Sequence, residues 1–140
     1  MPGGTNTPFG LKANGNISNG VFICLDTSTS NAALQASTSA GRVVTIGISG
    51  MGAESPPIDG AGTYHATAGN PLNEWYAEGA ECLLLVGAGG WNPQDKLKPD
   101  VNGAGVTTTS DHDYYGAVAL EAASAGEYGH VVVGGGYISA

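Results

Sequence analysis

The sequence carries little charge, and very little of that charge is positive. Charged residues make up 11% of the 140 residues, and twelve acids outnumber four cations to give a net charge of −8; the cations are Lys12, Arg42, Lys96 and Lys98. Nucleic-acid binding depends on Lys and Arg side chains that neutralise phosphates, and anionic membrane surfaces attract the same side chains. We therefore expect neither nucleic acid nor a membrane among the partners of this chain.

Cysteine and long hydrophobic runs are also scarce. Cys24 and Cys82 are the only cysteines, which is too few for the disulfide framework of a small secreted domain. We expect two reduced, buried thiols, as in chains made and kept in a cytosol, and a single disulfide bridge is the alternative. The longest apolar run, residues 82–88, is far shorter than the roughly 20 residues of a transmembrane helix, so the sequence predicts no such helix.

Side chains suited to catalysis or metal binding are few and scattered. The histidines His65, His112 and His130 form no pair with a ligand spacing such as HxxxH, and no cysteine is near one of them. The Asp-His-Asp cluster at 111–113 could bind a divalent cation, but we prefer to interpret it as an acidic turn between two strands. There is no GxSxG motif, and Ser110 shares a loop with His112 without a third member of a triad. We expect no enzymatic activity, no cofactor and no metal site.

Glycine is abundant instead, with 24 of 140 residues against a usual share of about 7%. The glycines fall between short runs of apolar and β-branched residues, where tight turns need positive φ angles. Asn102-Gly103 is a strong hairpin signal of this kind. Seven or eight short strands about ten residues apart are typical of a small all-β barrel or β-sandwich. The predicted strands are 21–25, 42–49, 81–86, 96–98, 106–109, 114–120 and 129–133, with 63–67 as the candidate eighth.

Two stretches depart from this strand pattern. Residues 1–19 are rich in Gly, Asn, Thr and Pro without a period, which predicts an extended N-terminal arm before a single domain at 20–140. Phe9 and Leu11 are the large apolar residues of that arm beyond Met1. Residues 71–78 are predicted to form one short helix, because Asn70 can act as its N-cap, Pro71 suits the first helical position, and Gly79 follows the last residue.

The C-terminal half shows an ordered series of turn and core motifs. It reads WNPQDKLKPDVNGAGVTTT at 91–109 and GAVALEAASAGEYGHVVV at 116–133. Over roughly residues 78–134 it resembles the small capsid decoration, or cement, proteins of tailed bacteriophages. The family turn "G-D-x-L/V" corresponds to residues 94–97, with Gln94 in the place of the glycine. The family hairpin "D-x-x-G" corresponds to residues 100–103. The motif "G-x-A-L-E-A-A-x-A-G" corresponds to residues 116–126, which carry one additional residue after Gly116.

The resemblance implies a structural function. Such proteins bind the outer surface of an assembled phage head, usually as trimers at three-fold positions, and stabilise it against the pressure of packed DNA. The implied partners are the phage major capsid protein and two further copies of the chain. The implied location is the outside of the virion capsid, after assembly in the cytoplasm of the bacterial host.

The aromatic residues keep a second class of function open. Trp75, Tyr76, Trp91, Tyr114 and Tyr115 could form stacking platforms in a carbohydrate-binding β-sandwich or a fibre-type adhesion module. A small hydrolase or isomerase is the third class, and it lacks a nucleophile–base pair at the level of sequence.

Seven residues are our candidates for contacts with a shell or a second subunit. Pro99 belongs to this set because it cannot donate a ladder hydrogen bond, which suits an edge of a sheet. The candidates are Phe9, Leu11, Trp75, Tyr76, Trp91, Leu97 and Pro99.

Overall fold

The computed structural model describes residues 10–52, 64–72, 74–110 and 112–138, which form eleven β-strands and no helix. Within those residues there is accordingly no helix long and apolar enough to cross a membrane. The strands are β1 (Leu11–Ala13), β2 (Phe22–Leu25), β3 (Ala32–Gln35), β4 (Gly47–Ser49), β5 (Pro71–Leu72), β6 (Trp75–Tyr76), β7 (Glu81–Leu85), β8 (Lys96–Pro99), β9 (Gly105–Thr107), β10 (Tyr114–Ala119) and β11 (Tyr128–Tyr137).

The strands divide into two sheets, each built from one continuous half of the chain. The N-sheet has six strands in the order β5-β1-β3-β2-β4-β6, and the C-sheet has five in the order β7-β11-β10-β8-β9. The pair β1–β3 is parallel, and the other pairs are antiparallel. The all-β fold predicted from the sequence is confirmed.

One apolar layer joins the two sheets. Phe22 and Ile48 of the N-sheet pack with Leu84, Leu97 and Val131 of the C-sheet, and all five side chains are fully buried. The opposite face of the N-sheet is covered as well, because a second buried cluster lies there. Its main members are Leu11, Ile17, Val21, Ile23, Leu72 and Trp75. Strand β2 therefore buries residues on both faces, which explains why its sequence is apolar without alternation.

The predicted hairpin at Asn102-Gly103 is present between β8 and β9. Oδ1 of Asp100 accepts hydrogen bonds from the backbone N–H groups of Asn102 (2.7 Å) and Ala104 (3.0 Å). Gly103 adopts a φ of 81°, which favours glycine. Pro99 ends β8 beyond the residues that pair with β10, so its missing N–H costs that pairing nothing.

The helix predicted at 71–78 is wrong. The described residues of that stretch form the two short strands β5 and β6 instead, and β6 pairs with β4. An isolated helix of two turns is marginal in water. Pairing with β4 supplies backbone partners and leaves the Trp75 side chain only 8% exposed, so tertiary packing overrides the local helix signals.

The predicted arm at 1–19 is corrected from residue 10 onward, and residues 1–9, including Phe9, lie outside the described residues. Leu11–Ala13 is a strand inside the N-sheet, paired with β3 and β5. Leu11 is buried, and Ile17 forms a β-bridge to Ala66. A strand of three residues is too short to show a period in the sequence, and its burial depends on partners more than 15 residues away.

The strand predicted at 42–49 is shorter than expected. Only Gly47–Ser49 pairs as β4, and the chain rejoins β2 just before it, where the Ile46 N–H donates to the Ile23 carbonyl (2.9 Å). The alternation of β-branched residues in 42–49 predicts that Val44, Ile46 and Ile48 share one face, but Val44 is 61% exposed whereas Ile48 is fully buried. Alternation in sequence shows which residues share a face only while the strand stays paired.

Gln94 has a backbone conformation that normally requires glycine. Its φ is 73°. Gln94 corresponds to the glycine of the turn "G-D-x-L/V" in the phage decoration proteins that the motif series resembles. A left-handed residue with a Cβ costs about 1–2 kcal/mol, whereas glycine loses roughly 0.5–1 kcal/mol through unfolded-state entropy. We expect Gln94→Gly to stabilise the protein by up to about 1 kcal/mol, and Gln94→Val to destabilise it by about 1–2 kcal/mol. Urea denaturation of both variants checks this, and equal midpoints for the two would contradict it.

The two cysteines are free and buried in different sheets, Cys24 in β2 and Cys82 in β7. Burial raises the pKa of the Cys82 thiol to about 12 and also raises the pKa of Cys24. Because the thiolate is the reactive form, we expect little reaction of the native protein with a thiol reagent at pH 8. Denaturation without reductant should release two titratable thiols. A count of zero would show that the cysteines pair.

Candidate interaction surface

The Asp-His-Asp cluster behaves as a turn in the two residues that the structure describes, His112 and Asp113. The Asp113 carboxylate accepts hydrogen bonds from Lys98 Nζ (2.8 Å) and from the Thr108 hydroxyl. These bonds lower the pKa of Asp113. The His112 ring packs edge-on against Tyr137, with 5.8 Å between ring centroids. Among the described residues, no group of three His, Cys, Asp or Glu side chains could hold a metal ion.

The ring nitrogens of the other two histidines contact oxygen atoms of neighbouring segments of the chain. The His65 side chain is buried, and its ring nitrogens Nδ1 and Nε2 lie 2.5 Å and 2.8 Å from the carbonyl oxygens of Gly52 and Glu74. His130 is exposed, and its Nδ1 lies 3.0 Å from Oε2 of Glu121. Hydrogen bonds from the His130 side chain and backbone lower the pKa of Glu121. Both histidines therefore have partners that account for their positions.

The interaction candidates chosen from the sequence belong mostly to the interior of this chain. Tyr76 is partly buried against the core shared by the sheets, and Phe9 lies outside the described residues. The remaining five are at least nine-tenths buried: Leu11, Trp75, Trp91, Leu97 and Pro99. Their side chains pack within the chain and do not form its surface.

Trp91 shows why a large aromatic residue is internal here. Its backbone pairs with Ala123, and its indole packs closely against two glycines of the C-sheet. A Cβ added at Gly105 would lie 2.9 Å from the indole, and one added at Gly129 would lie 2.8 Å from it. The small residues of the C-terminal motif series thus make room for this ring, which is a packing function.

Two aromatic residues that reach solvent meet at one end of β10 and β11. Tyr114 and Tyr137 are cross-strand partners, 48% and 47% exposed, with ring centroids 5.0 Å apart at a tilt of 53°. Val44 lies beside them on a shared cleft, and the partly buried Tyr115 lines the same cleft. We call Val44, Tyr114, Tyr115 and Tyr137 the tyrosine surface. A cluster of exposed apolar side chains of this kind marks a binding surface more often than isolated ones do.

The apolar area continues from Val44 into a second cleft, which is lined by Leu25 and Leu34. Leu25 is 51% exposed. The charged residues that line these two clefts are Asp26 and Arg42 in the second cleft and Glu78 in the first. The Nζ atom of Lys96 lies 5.3 Å from the centroid of the Tyr115 ring.

Sequence reasoning identified Tyr114 and Tyr115 as stacking candidates but missed Tyr137 and Val44. The signal for Tyr137 was weak: it follows three glycines, and the strand prediction ended at residue 133, four residues before β11 ends. Its cross-strand pairing with Tyr114 depends on a register shift near Tyr115, which a sequence does not reveal. Val44 was misplaced because its strand was predicted to be longer than it is.

The sequence matches no protein-family model and no curated protein. Among solved structures, the chain is similar to the head fiber gp8.5 N base of bacteriophage phi29, with a TM-score of 0.56 and 16% identity. The match covers 90% of this chain and 92% of that chain. The two chains therefore share one all-β fold over nearly their whole lengths.

Proposed function

We propose that this chain is a structural protein of a phage particle that binds the outer surface of the head and stabilises it. The observation that carries the proposal is the fold shared with a phage head fiber base over 90% of this chain. The motif series at 91–133 supports it independently, since it resembles decoration proteins of phage heads. These two likenesses rest on different properties, the backbone fold and the order of sequence motifs.

The charge of the chain suits a position outside the shell. A net charge of −8 opposes binding to packaged DNA, but a protein on the outer surface of the head does not need to touch DNA. The proposed partner is the major capsid protein. Nucleic acid and membranes are not among the proposed partners.

A trimer is the proposed assembly. Three linked subunits that each bind weakly gain avidity, because the second and third contacts form at a high effective concentration. Acidic copies repel one another at a distance, so the contacts between subunits must come from apolar or neutral surface.

The test uses heads of the phage whose genome encodes the chain. We expect the purified protein to co-sediment with expanded heads and not with unassembled coat protein. DNA-filled and emptied heads should bind it equally, because the bound surface is external. Equal co-sedimentation with unassembled coat protein, or binding that requires DNA, would contradict the proposal.

Lysine acetylation of the bound protein adds a second readout. Lys12 in the N-sheet and Lys96 in the C-sheet are both exposed, and the sheets present them from different halves of the chain. Protection of one of them on bound but not free protein identifies the sheet nearer the shell. Unchanged acetylation of both, together with no co-sedimentation, would count against head binding.

A further inference from the structure

The C-sheet has two faces, and the face opposite the N-sheet carries the side chains that alternate with the core residues. Each of the strands β7, β8, β10 and β11 contributes to the shared core, for example through Cys82, Leu97, Ala117 and Val131. Successive side chains of a strand point to opposite faces, so the neighbours of these residues lie on the other side of the sheet. We call that side the outer C-sheet face, and it includes Glu81, Leu83, Lys96, Val118, Leu120 and Val132.

The centre of the outer C-sheet face is apolar. Val118 of β10 and Val132 of β11 are direct cross-strand partners there, and both are partly exposed. Leu83 of β7 is also partly exposed, and Leu120, which follows β10, is 45% exposed. An antiparallel sheet whose second face meets water commonly carries polar residues on that face. Neighbouring apolar side chains in this position therefore indicate an interaction surface.

One cross-strand row on this face ends in opposite charges. Four residues form the row, each the cross-strand partner of the next: Glu81, Val132, Val118 and Lys96. The acid and the base at its two ends are both exposed. They are three strand spacings apart, which is about 14 Å. The row therefore has the order acid, apolar, apolar, base.

This order is complementary to itself. A two-fold axis parallel to the strands, between β10 and β11, places a second copy of the row against the first in reverse order. Glu81 of each copy then lies opposite Lys96 of the other, and the valines lie opposite each other. Sheets that pack face to face are about 10 Å apart, a distance that a Glu and a Lys side chain span together. The contact thus has two identical ion pairs around an apolar centre.

We propose that the outer C-sheet face is a self-association surface, which binds the same face of a second copy of this chain about a two-fold axis. A partner for the row must present a base opposite Glu81 and an acid opposite Lys96 at the same spacing, and the chain itself meets this requirement. The contact goes beyond the proposed function and differs from the contacts of the proposed trimer. Trimers that form it would be joined in pairs.

Sedimentation equilibrium of the full-length protein over a range of concentrations tests the proposal. We expect the wild type to associate into an even number of chains. Glu81→Lys and Lys96→Glu should each raise the dissociation constant by about tenfold or more, because each variant places like charges opposite one another at both ends of the contact. The double variant that carries both reversals should associate as the wild type does, since opposite charges face each other again.

Lys12→Glu is the matched control, because Lys12 is an exposed lysine of the N-sheet, and this variant should associate as the wild type does. Association should also lower the acetylation of Lys96 but not of Lys12, so acetylation during head binding is read on protein dilute enough to be monomeric. Urea unfolding of each variant separates lost association from lost folding.

Three results would overturn the proposal. They are a wild type that stays monomeric or forms only trimers, a double variant that does not recover association, and protection of Lys96 by coat protein but not by a second copy of the chain. A monomeric wild type that still co-sediments with heads would remove this contact and leave head binding supported, so the two proposals fail separately.

Discussion

Truncation of Phe22 to alanine is expected to destabilise the protein by about 3–5 kcal/mol, the usual cost of emptying a buried aromatic site. Phe22 is fully buried in the layer that joins the two sheets. Its ring packs against the backbone of Gly116 in β10, where an added Cβ would lie 2.9 Å from the ring. Because the ring lies between a strand of the N-sheet and a strand of the C-sheet, neighbouring side chains can move little to fill the cavity that the truncation leaves. Such a loss is a large fraction of the roughly 5–15 kcal/mol stability of a domain.

Leu25→Ala provides the matched control, because Leu25 lies three residues further along the same strand but is 51% exposed. Its truncation should change stability by no more than about 0.5 kcal/mol. Urea unfolding followed by tryptophan fluorescence measures both variants. Similar losses in the two would show that Phe22 is not a core residue of the native protein.

Replacement of Gly47 by alanine is the second large expected effect, a loss of about 2–3 kcal/mol from overpacking at a paired strand. A Cβ at this position would overlap the carbonyl oxygen of Tyr76 and lie 2.8 Å from the Trp75 ring. The Tyr76 backbone cannot move away freely, because β6 pairs with β4 next to this contact. Relief of the clash therefore requires separation of an edge pair of the N-sheet.

Gly134→Ala is the control for this substitution. A Cβ at Gly134 meets nothing within 4 Å, and alanine restricts the unfolded chain, so we expect a change between zero and a gain of about 1 kcal/mol. Thermal unfolding of the two variants compares them directly. A Gly47→Ala protein as stable as Gly134→Ala would mean that β4 and β6 do not pack as closely as described.

The local β-structure of the C-terminal half could be predicted because its determinants are local. The Asn102-Gly103 turn supplies its own positive φ, and the Asp100 side chain caps it. Strands β7 to β11 are bounded by such turns, so composition and spacing locate them. The bulge near Tyr115 and the extension of β11 to Tyr137 depend on cross-strand register, and they were missed.

The N-terminal half was harder to predict because its short strands are defined by distant partners. Leu11–Ala13 becomes a strand only through β3 and β5, and Trp75–Tyr76 only through β4. In both places the local signals favoured another conformation. The choice of candidate contact residues depended on distant partners in the same way. Trp75 was predicted to be a surface contact, but pairing of its strand with β4 places it in the interior.

The division of the chain between the sheets has a consequence for its assembly. Strands β1–β6 end at Tyr76 and strands β7–β11 begin at Glu81, so residues 77–80 are the sole covalent link between the two sheets among the described strands. A polypeptide cleaved in that link would yield two fragments, each with every strand of its own sheet and one uncovered apolar face. Phe22 of the N-sheet and Leu97 of the C-sheet belong to one buried cluster, which is covered only while the two sheets pack together. We therefore expect the two fragments to bind each other and restore the fold, as the halves of a split protein do.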